Sequence, residues 1–187
     1  KGIHKKNIKP LLGKPLVDYT IQEALKLVSK ENIFLSSDGK DILRRGIEFG
    51  IKTTVRPKEI SSDSSTSDEL ITHFIEDTKL PANSVIIYLQ PTSPLRNARH
   101  ISAAYAIYRQ QEQGTVLSVA LSKQLPSKSL ELDSDNHLKP IIHTDNKFTN
   151  RQEIPATFYP NGAIYIFKSN LFMEQKTIPE PKIPYLM

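Results

Sequence analysis

The chain has 187 residues, no cysteine, no tryptophan and a net charge of +5 at neutral pH. This length suits one domain, with or without an appendage, and a core held without covalent staples. Lack of cysteine excludes a disulfide framework, a thiolate metal site and a cysteine nucleophile. No apolar run is long enough to span a membrane and no leader pattern opens the chain, so a cytoplasmic protein without membrane association is expected. The charge is unevenly placed: residues 1–56 carry 12 Lys and Arg against 6 Asp and Glu, and residues 57–187 carry 13 against 14. A basic first third fits an anionic ligand. No basic stretch is interleaved with aromatics as a single-strand platform would be, so a small phosphorylated ligand is favoured over nucleic acid.

The chain opens on Lys1-Gly2-Ile3-His4-Lys5-Lys6-Asn7, a basic stretch running directly into a helical pattern. Backbone N–H groups and ammonium groups converge on a phosphate in such loops. Val17, Ile21, Ala24/Leu25 and Val28 fall at helical spacing, which predicts a helix over 15–30 with Pro15 in its first turn. Residues 32–36 read as a strand closed by Ser37-Asp38-Gly39. The next helix is expected to take Asp38 or Asp41 as its cap, turn Ile42, Leu43 and Ile47 inward and stop at Gly50. A strand over 51–55 ends in Arg56-Pro57.

Residues 61–68 form a Ser/Thr/Asp run whose end, Thr66-Ser67-Asp68-Glu69, has the form of a capping box. Leu70, Ile71, Phe74 and Ile75 follow on one face. Residues 84–90 are nearly all apolar, as in a central strand buried on both faces. Pro91-Thr92-Ser93-Pro94-Leu95-Arg96 must be loop. Asn97 begins a helix with Ile101, Ala104, Tyr105 and Tyr108 inward, and residues 115–121 form the next strand. This alternation predicts a Rossmann-like α/β fold: a mostly parallel open sheet with helices on both faces and ligands at the carboxyl ends of its strands. The basic loop would then follow a strand lying ahead of Lys1.

The alternation breaks over 122–157, which is polar and long for a loop. The expected organisation is a nucleotide-binding α/β core over 1–121, an inserted dimerisation arm with ribbon character over 122–157, and a return to the core over 158–187. In that last part residues 163–167 form a core strand, residues 169–174 a short helix, and the proline-rich tail is extended.

Neither the dinucleotide glycine fingerprint nor the Walker lysine motif occurs, and the five histidines lack ligand spacing. Four pieces in order are more specific. They are Lys1-Gly2-Ile3-x-x-Lys6-Asn7 with Gly13-Lys14-Pro15; Arg56-Pro57 before the Ser/Thr run; Leu89-Gln90-Pro91-Thr92-Ser93-Pro94-Leu95-Arg96; and Arg151-Gln152 with Pro155, then Asn161-Gly162-Ala163-Ile164-Tyr165. Together they closely resemble the CMP-N-acetylneuraminic acid synthetases, the N-acylneuraminate cytidylyltransferases, over nearly the whole chain.

The resemblance implies an enzyme transferring CMP from CTP to a nonulosonic (sialic-type) sugar acid, with release of pyrophosphate and use of magnesium, as a homodimer serving cell-surface polysaccharide synthesis. It implies that Lys1 and Lys6 hold the triphosphate and stabilise the leaving pyrophosphate, that Asn7 meets the ribose, and that Arg56 and Ser67 read cytosine. Gln90, Asn161 and Tyr165 would contact the sugar acid, with Lys128 and Arg151 supplying cations from the arm, in cis or to the partner subunit. Tyr159 departs from some relatives, which carry a basic residue there. The resemblance also places a triphosphate-binding arginine ahead of Lys1 and a magnesium-binding aspartate pair beyond Met187, so no metal ligand is expected within the chain. The alternatives are a same-fold nucleotidyltransferase for legionaminic acid or an eight-carbon keto acid, and an inactive sugar-nucleotide-binding module.

Overall fold

A computed structural model describes residues 3, 5–62, 64–111, 113–123, 126, 129–141 and 155–187. Two compact units emerge, one of Lys1–Ser118 with Gly162–Tyr185 and a second of Val119–Asn161 with Leu186–Met187. In chain order the strands are β1 (Pro10–Leu11), β2 (Lys14–Pro15), β3 (Phe34–Ser37), β4 (Lys52–Val55), β5 (Val85–Tyr88), β6 (Thr115–Leu121), β7 (Leu130–Leu132), β8 (Leu138–Pro140), β9 (Phe158–Lys168) and β10 (Lys182–Leu186). The α-helices are α1 (Leu16–Leu25), α2 (Lys40–Glu48), α3 (Ser67–Thr78), α4 (Ala98–Arg109) and α5 (Ser169–Gln175).

Strands β10, β6, β9 and β5 form a four-stranded sheet in that order, while β3 and β4 pair in parallel as a separate two-stranded sheet. Strand β5 runs antiparallel to β9, with Tyr88 opposite Tyr165. The sheets are therefore mixed. Among the described residues, β5 stands last in the four-stranded sheet, paired with β9, and β3 pairs with β4.

Alternation along β9 supplies both faces of the larger sheet. Ile164 and Ile166 pack with Ile101, Ala104 and Tyr108 of α4 and with Val116. Phe167 packs with Ile71 and Ile75 of α3, Ile86 and Phe172, while Tyr165 lies against the same cluster. A third cluster joins Val17 and Ile21 of α1 to Ile33 and Ile51.

The capping box forms as expected: the Glu69 N–H donates to Thr66 Oγ1 at 3.2 Å and the Thr66 N–H donates to Glu69 Oε2 at 2.8 Å. A second box starts α4, where Asn97 Oδ1 accepts from His100 N–H at 3.1 Å. Neither Asp38 nor Asp41 caps α2; its N-cap is Gly39 and Asp41 lies in the first turn. Helix α1 stops at Leu25, short of the expected end, and its last turn tightens as the Leu27 N–H donates to the Ala24 carbonyl three residues back at 3.0 Å.

Ile47 is 67% exposed instead of inward. Gly46 takes the buried position, where an added Cβ would stand 2.7 Å from Thr53 Cγ2. Each helical residue turns about 100° from the last, so the face carrying Gly46 directs Ile47 to solvent. Tyr105 is exposed too, although Tyr108 is buried.

In the second unit, β7 and β8 form a hairpin with Leu130 opposite Pro140. Much of the expected arm lies outside the described residues.

Candidate functional site

The basic loop supplies the first group of the site. Lys5 has a left-handed backbone, with φ 50°, and leads into a single 3-10 turn over Lys6–Ile8. Lys5 Nζ is held 3.3 Å from Asp41 Oδ2. This places Lys6 and Asn7 on the wall of a cavity of about 870 Å³. Asn7 Oδ1 is buried there without a hydrogen-bond partner, an acceptor suited to a hydroxyl donor.

Arg56 reaches the same cavity from the end of β4. Its N–H donates to the Ser37 carbonyl at 3.0 Å, continuing the β3–β4 ladder by one residue. Its Nη2 lies 3.6 Å from Asp38 Oδ1, while its Nε is buried and unpartnered. A guanidinium with an unused edge is a forked donor available to an acceptor-rich ring. Ser61, Ser62, Ser65, Thr66 and Ser67 bring a run of hydroxyls to the wall at the start of α3. Gln90 lines the cavity just beyond β5.

These polar groups gather at the carboxyl ends of β3, β4 and β5, with Ser36 beside them. Toward the amino ends the wall becomes apolar. Residues 33–35 of the β3 side and 85–87 of β5 line it edge to edge, covered by faces of α1, α3 and α4.

Lys6, Asn7, Arg56, Ser67 and Gln90 are therefore brought together in one unit. Tyr165 is placed differently: its ring lies 5.8 Å from that of Tyr88 in the core beside α3, and it does not line the cavity. Burial raises its hydroxyl pKa. Asn161 sits in β9 in the second unit, one residue before Gly162. Lys1, Lys128 and Arg151 lie outside the described residues.

Two further residues shape the site. Arg96, in the loop after β5, is 2% exposed. Its Nη1 donates to the carbonyls of Gln90 at 3.0 Å and Ala163 at 2.7 Å, and its Nη2 donates to Thr20 Oγ1 at 2.6 Å. Burial lowers its pKa to about 10, partly countered by Glu23. Gly162 has φ +76°, and an added Cβ would meet Gln90 Oε1 at 3.0 Å. The Leu95-Arg96 and Asn161-Gly162 pairs were visible as motif letters, but no local pattern says which arginine is buried or which side chain a glycine must admit.

Among the described residues, no carboxylate lines the cavity. Among the described residues, one trio could hold a metal ion: Asp133, Asp135 and His137 in the β7–β8 turn. Asp133 Oδ1 there already accepts from the N–H groups of Asp135 and His137. The cavity residues thus do not supply the donor set that magnesium prefers. No helix among the described residues is long and apolar enough to cross a membrane.

The fold is shared with solved nucleotidyltransferases. One is a CMP:2-keto-3-deoxy-manno-octonic acid synthetase complexed with CTP (TM-score 0.64, 14% identity, 97% of this chain and 83% of that one). Another is the 4-diphosphocytidyl-2C-methyl-D-erythritol synthase of Anaerococcus prevotii (TM-score 0.61, 14% identity, 94% of this chain and 68% of that one). In sequence, the chain is 31% identical over 179 residues to an N-acylneuraminate cytidylyltransferase of Streptococcus agalactiae serotype V, covering 95% of this chain and 43% of the relative. It is 27% identical to a pseudaminic acid cytidylyltransferase of Campylobacter jejuni serotype O:2, covering 97% of this chain and 79% of the relative. The chain thus spans less than half the length of its Streptococcus relative. Residues 1–180 match the sequence profile of the family described as Cytidylyltransferase, and the chain belongs to that family.

Proposed function

We propose that this chain forms the nucleotide-binding part of an enzyme that transfers CMP from CTP to a nonulosonic sugar acid, releasing pyrophosphate. The observation carrying the proposal is the single cavity lined by Lys6, Asn7, Arg56, Ser67 and Gln90. Five residues from four separate stretches of the sequence, each expected at a cytidylyltransferase site, meet at the carboxyl ends of three strands, where open α/β sheets bind ligands.

In this reading the sugar's anomeric hydroxyl attacks the α-phosphorus in line, its proton passing to solvent, as the bond from the α-phosphorus to the bridging β-phosphate oxygen breaks. Negative charge then develops on the leaving pyrophosphate. Lys6, joined by Lys1, places mobile positive charge against that leaving group. Asn7 Oδ1 accepts a ribose hydroxyl. The Arg56 fork donates to cytosine O2 and N3, with Ser67 beside it. Gln90 orients the sugar acid by neutral hydrogen bonds, and the rate gain is largely one of positioning. Magnesium would neutralise phosphate charge when bound. No carboxylate among the described residues lines the cavity, and no step is assigned to the ion.

The proposal extends to the parts outside this site. By the family resemblance Asn161, Lys128 and Arg151 serve the sugar acid, the last two from a dimerisation arm over 122–157, and the enzyme works in the cytoplasm. The pseudaminic relative supports keeping a different nonulosonic acid as the second reading.

The test is pyrophosphate release by the intact protein from CTP with N-acetylneuraminic, legionaminic, pseudaminic and eight-carbon keto acids in turn. Release with one of them is expected. A folded protein that binds CTP and releases nothing with any acid would leave the binding-module alternative standing.

A further inference from the structure

We infer that Arg96 is a positioning residue for the sugar-acid end of the site, fixing Gln90 and the Gly162–Ala163 backbone in register with α1. This rests on the function proposed above. The guanidinium makes three hydrogen bonds to three separate segments: the Gln90 carbonyl after β5, the Ala163 carbonyl in β9 and the Thr20 hydroxyl on α1. Gln90 and Thr20 both line the cavity, and Ala163 directly follows the glycine against which the Gln90 side chain lies. A single planar group therefore determines the separation of both sides of that contact.

The chemistry is unusual for a purely structural residue. A guanidinium that is 2% exposed has been taken out of water at considerable cost. None of its hydrogen bonds goes to a carboxylate; the acceptors are two carbonyls and a hydroxyl. Its Nε is buried without a partner. Packing alone would be served as well or better by an apolar side chain of similar volume. What an apolar residue cannot do is bind two carbonyls with one nitrogen while the other holds α1. The rigid fork supplies that geometry.

The site shows where such rigidity matters. Gln90 precedes Pro91, which has no N–H to anchor the loop, so the Gln90 carbonyl is the local attachment point. Asn97 and Ala98 are fixed separately, Ala98 N–H donating to Glu23 Oε2 at 2.7 Å. Arg96 thus anchors the amide-bearing end of a loop whose other end is already tied to α1. Because a displacement of about 1 Å at a substrate-orienting group is enough to cost two orders of magnitude in rate, fixing Gln90 is a catalytic requirement rather than a decoration of the core.

The experiment compares wild type with Arg96→Lys, Arg96→Met and Thr20→Val in the intact protein. It measures the melting temperature, the CTP dissociation constant by calorimetry, and kcat and KM for the sugar acid that wild type accepts. Arg96→Lys keeps the charge but not the fork. It is expected to retain CTP affinity within about twofold and to raise the sugar-acid KM at least about tenfold, the scale of one lost orienting contact. Thr20→Val, which removes one of the three bonds, should shift KM in the same direction by less. The assigned Gln90 side-chain amide signals in NMR should move in Arg96→Lys and stay in place for a surface control, Arg99→Lys.

A folded Arg96→Lys with unchanged sugar-acid KM and unmoved Gln90 signals overturns the inference. So does an equal loss of CTP and sugar-acid binding, which would mark a general packing role. Should Arg96→Lys or Arg96→Met fail to fold, Thr20→Val and its Gln90 signals decide the matter. Absence of pyrophosphate release by wild type defeats the functional reading, and the inference falls with it; a normal wild type beside a silent Arg96→Lys effect defeats the inference alone.

Discussion

Gly162 and Gln90 are fitted to each other. At φ +76° Gly162 presents a bare Cα to the Gln90 carboxamide, and a Cβ there would lie 3.0 Å from Oε1. Both the left-handed backbone and the close approach call for glycine. Gly162→Ala is expected to cost about 1–2 kcal/mol of stability from strain at positive φ. It should also push the Gln90 amide out of place. The two effects separate by measurement: urea titration reads the first, and sugar-acid KM at constant CTP affinity reads the second. A variant as stable as wild type with normal KM would show that Gln90 relaxes freely.

Arg56 provides a second test. Its Nε is unpartnered and its Nη2 is only loosely engaged by Asp38 at 3.6 Å. Little of the fold depends on its side chain. Arg56→Lys should therefore leave the melting temperature nearly unchanged while weakening CTP binding by about tenfold or more, because an ammonium cannot offer the forked pair of donors. Equal affinity of wild type and variant for CTP, measured by calorimetry, would remove Arg56 from the base site.

Asp18 and Arg45 join α1 to α2. Arg45 Nε donates to Asp18 Oδ1 at 3.0 Å and Nη2 to Oδ2 at 2.6 Å, and Asp18 is 3% exposed. The carboxylate hydrogen bond raises the arginine's pKa. Arg45→Met leaves a buried carboxylate without its partner. Removing one member of a buried pair costs about 3–5 kcal/mol, and the partial exposure of Arg45 reduces the expectation here to about 2 kcal/mol. Chemical denaturation of the variant checks this; a change below about 0.5 kcal/mol would place the pair among inert surface ion pairs.

Glu23 gives the molecule an acid-sensitive contact. The hydrogen bond from Lys26 and that from the Ala98 N–H hold its carboxyl below the ordinary value of 4.5, against a smaller opposing effect of burial. A carboxyl with a lowered folded pKa contributes stability that is complete above the unfolded pKa and disappears as pH falls through the folded one. Glu23 should therefore contribute fully above about pH 4.5 and progressively less below it. Glu23→Gln should cost about 0.5–1 kcal/mol at pH 7, the scale of a carboxylate at a helix N-terminus, and progressively less as pH falls below about 4.5. Thermal melts of both proteins across that range would show converging curves; parallel curves would contradict the assignment.

The sequence by itself determined what depends on neighbours along the chain. The Thr66–Glu69 capping box, the start of α4 at Asn97 and the core strand at 163–167 are local, since a cap or a short apolar run needs only adjacent residues. The motif letters also named Lys6, Asn7, Arg56, Ser67 and Gln90 before any of them was seen to share a cavity. Only the tertiary structure decided what depends on the element lying opposite. It turned Ile47 outward because Gly46 meets Thr53, and left Tyr105 exposed. It also set Tyr165 against Tyr88 in the core instead of on the cavity wall, and buried Arg96 among carbonyls of residues 90 and 163. Periodicity reports that a face will be covered; which side chain, edge or carbonyl covers it is fixed by long-range packing, which spacing in one sequence does not encode.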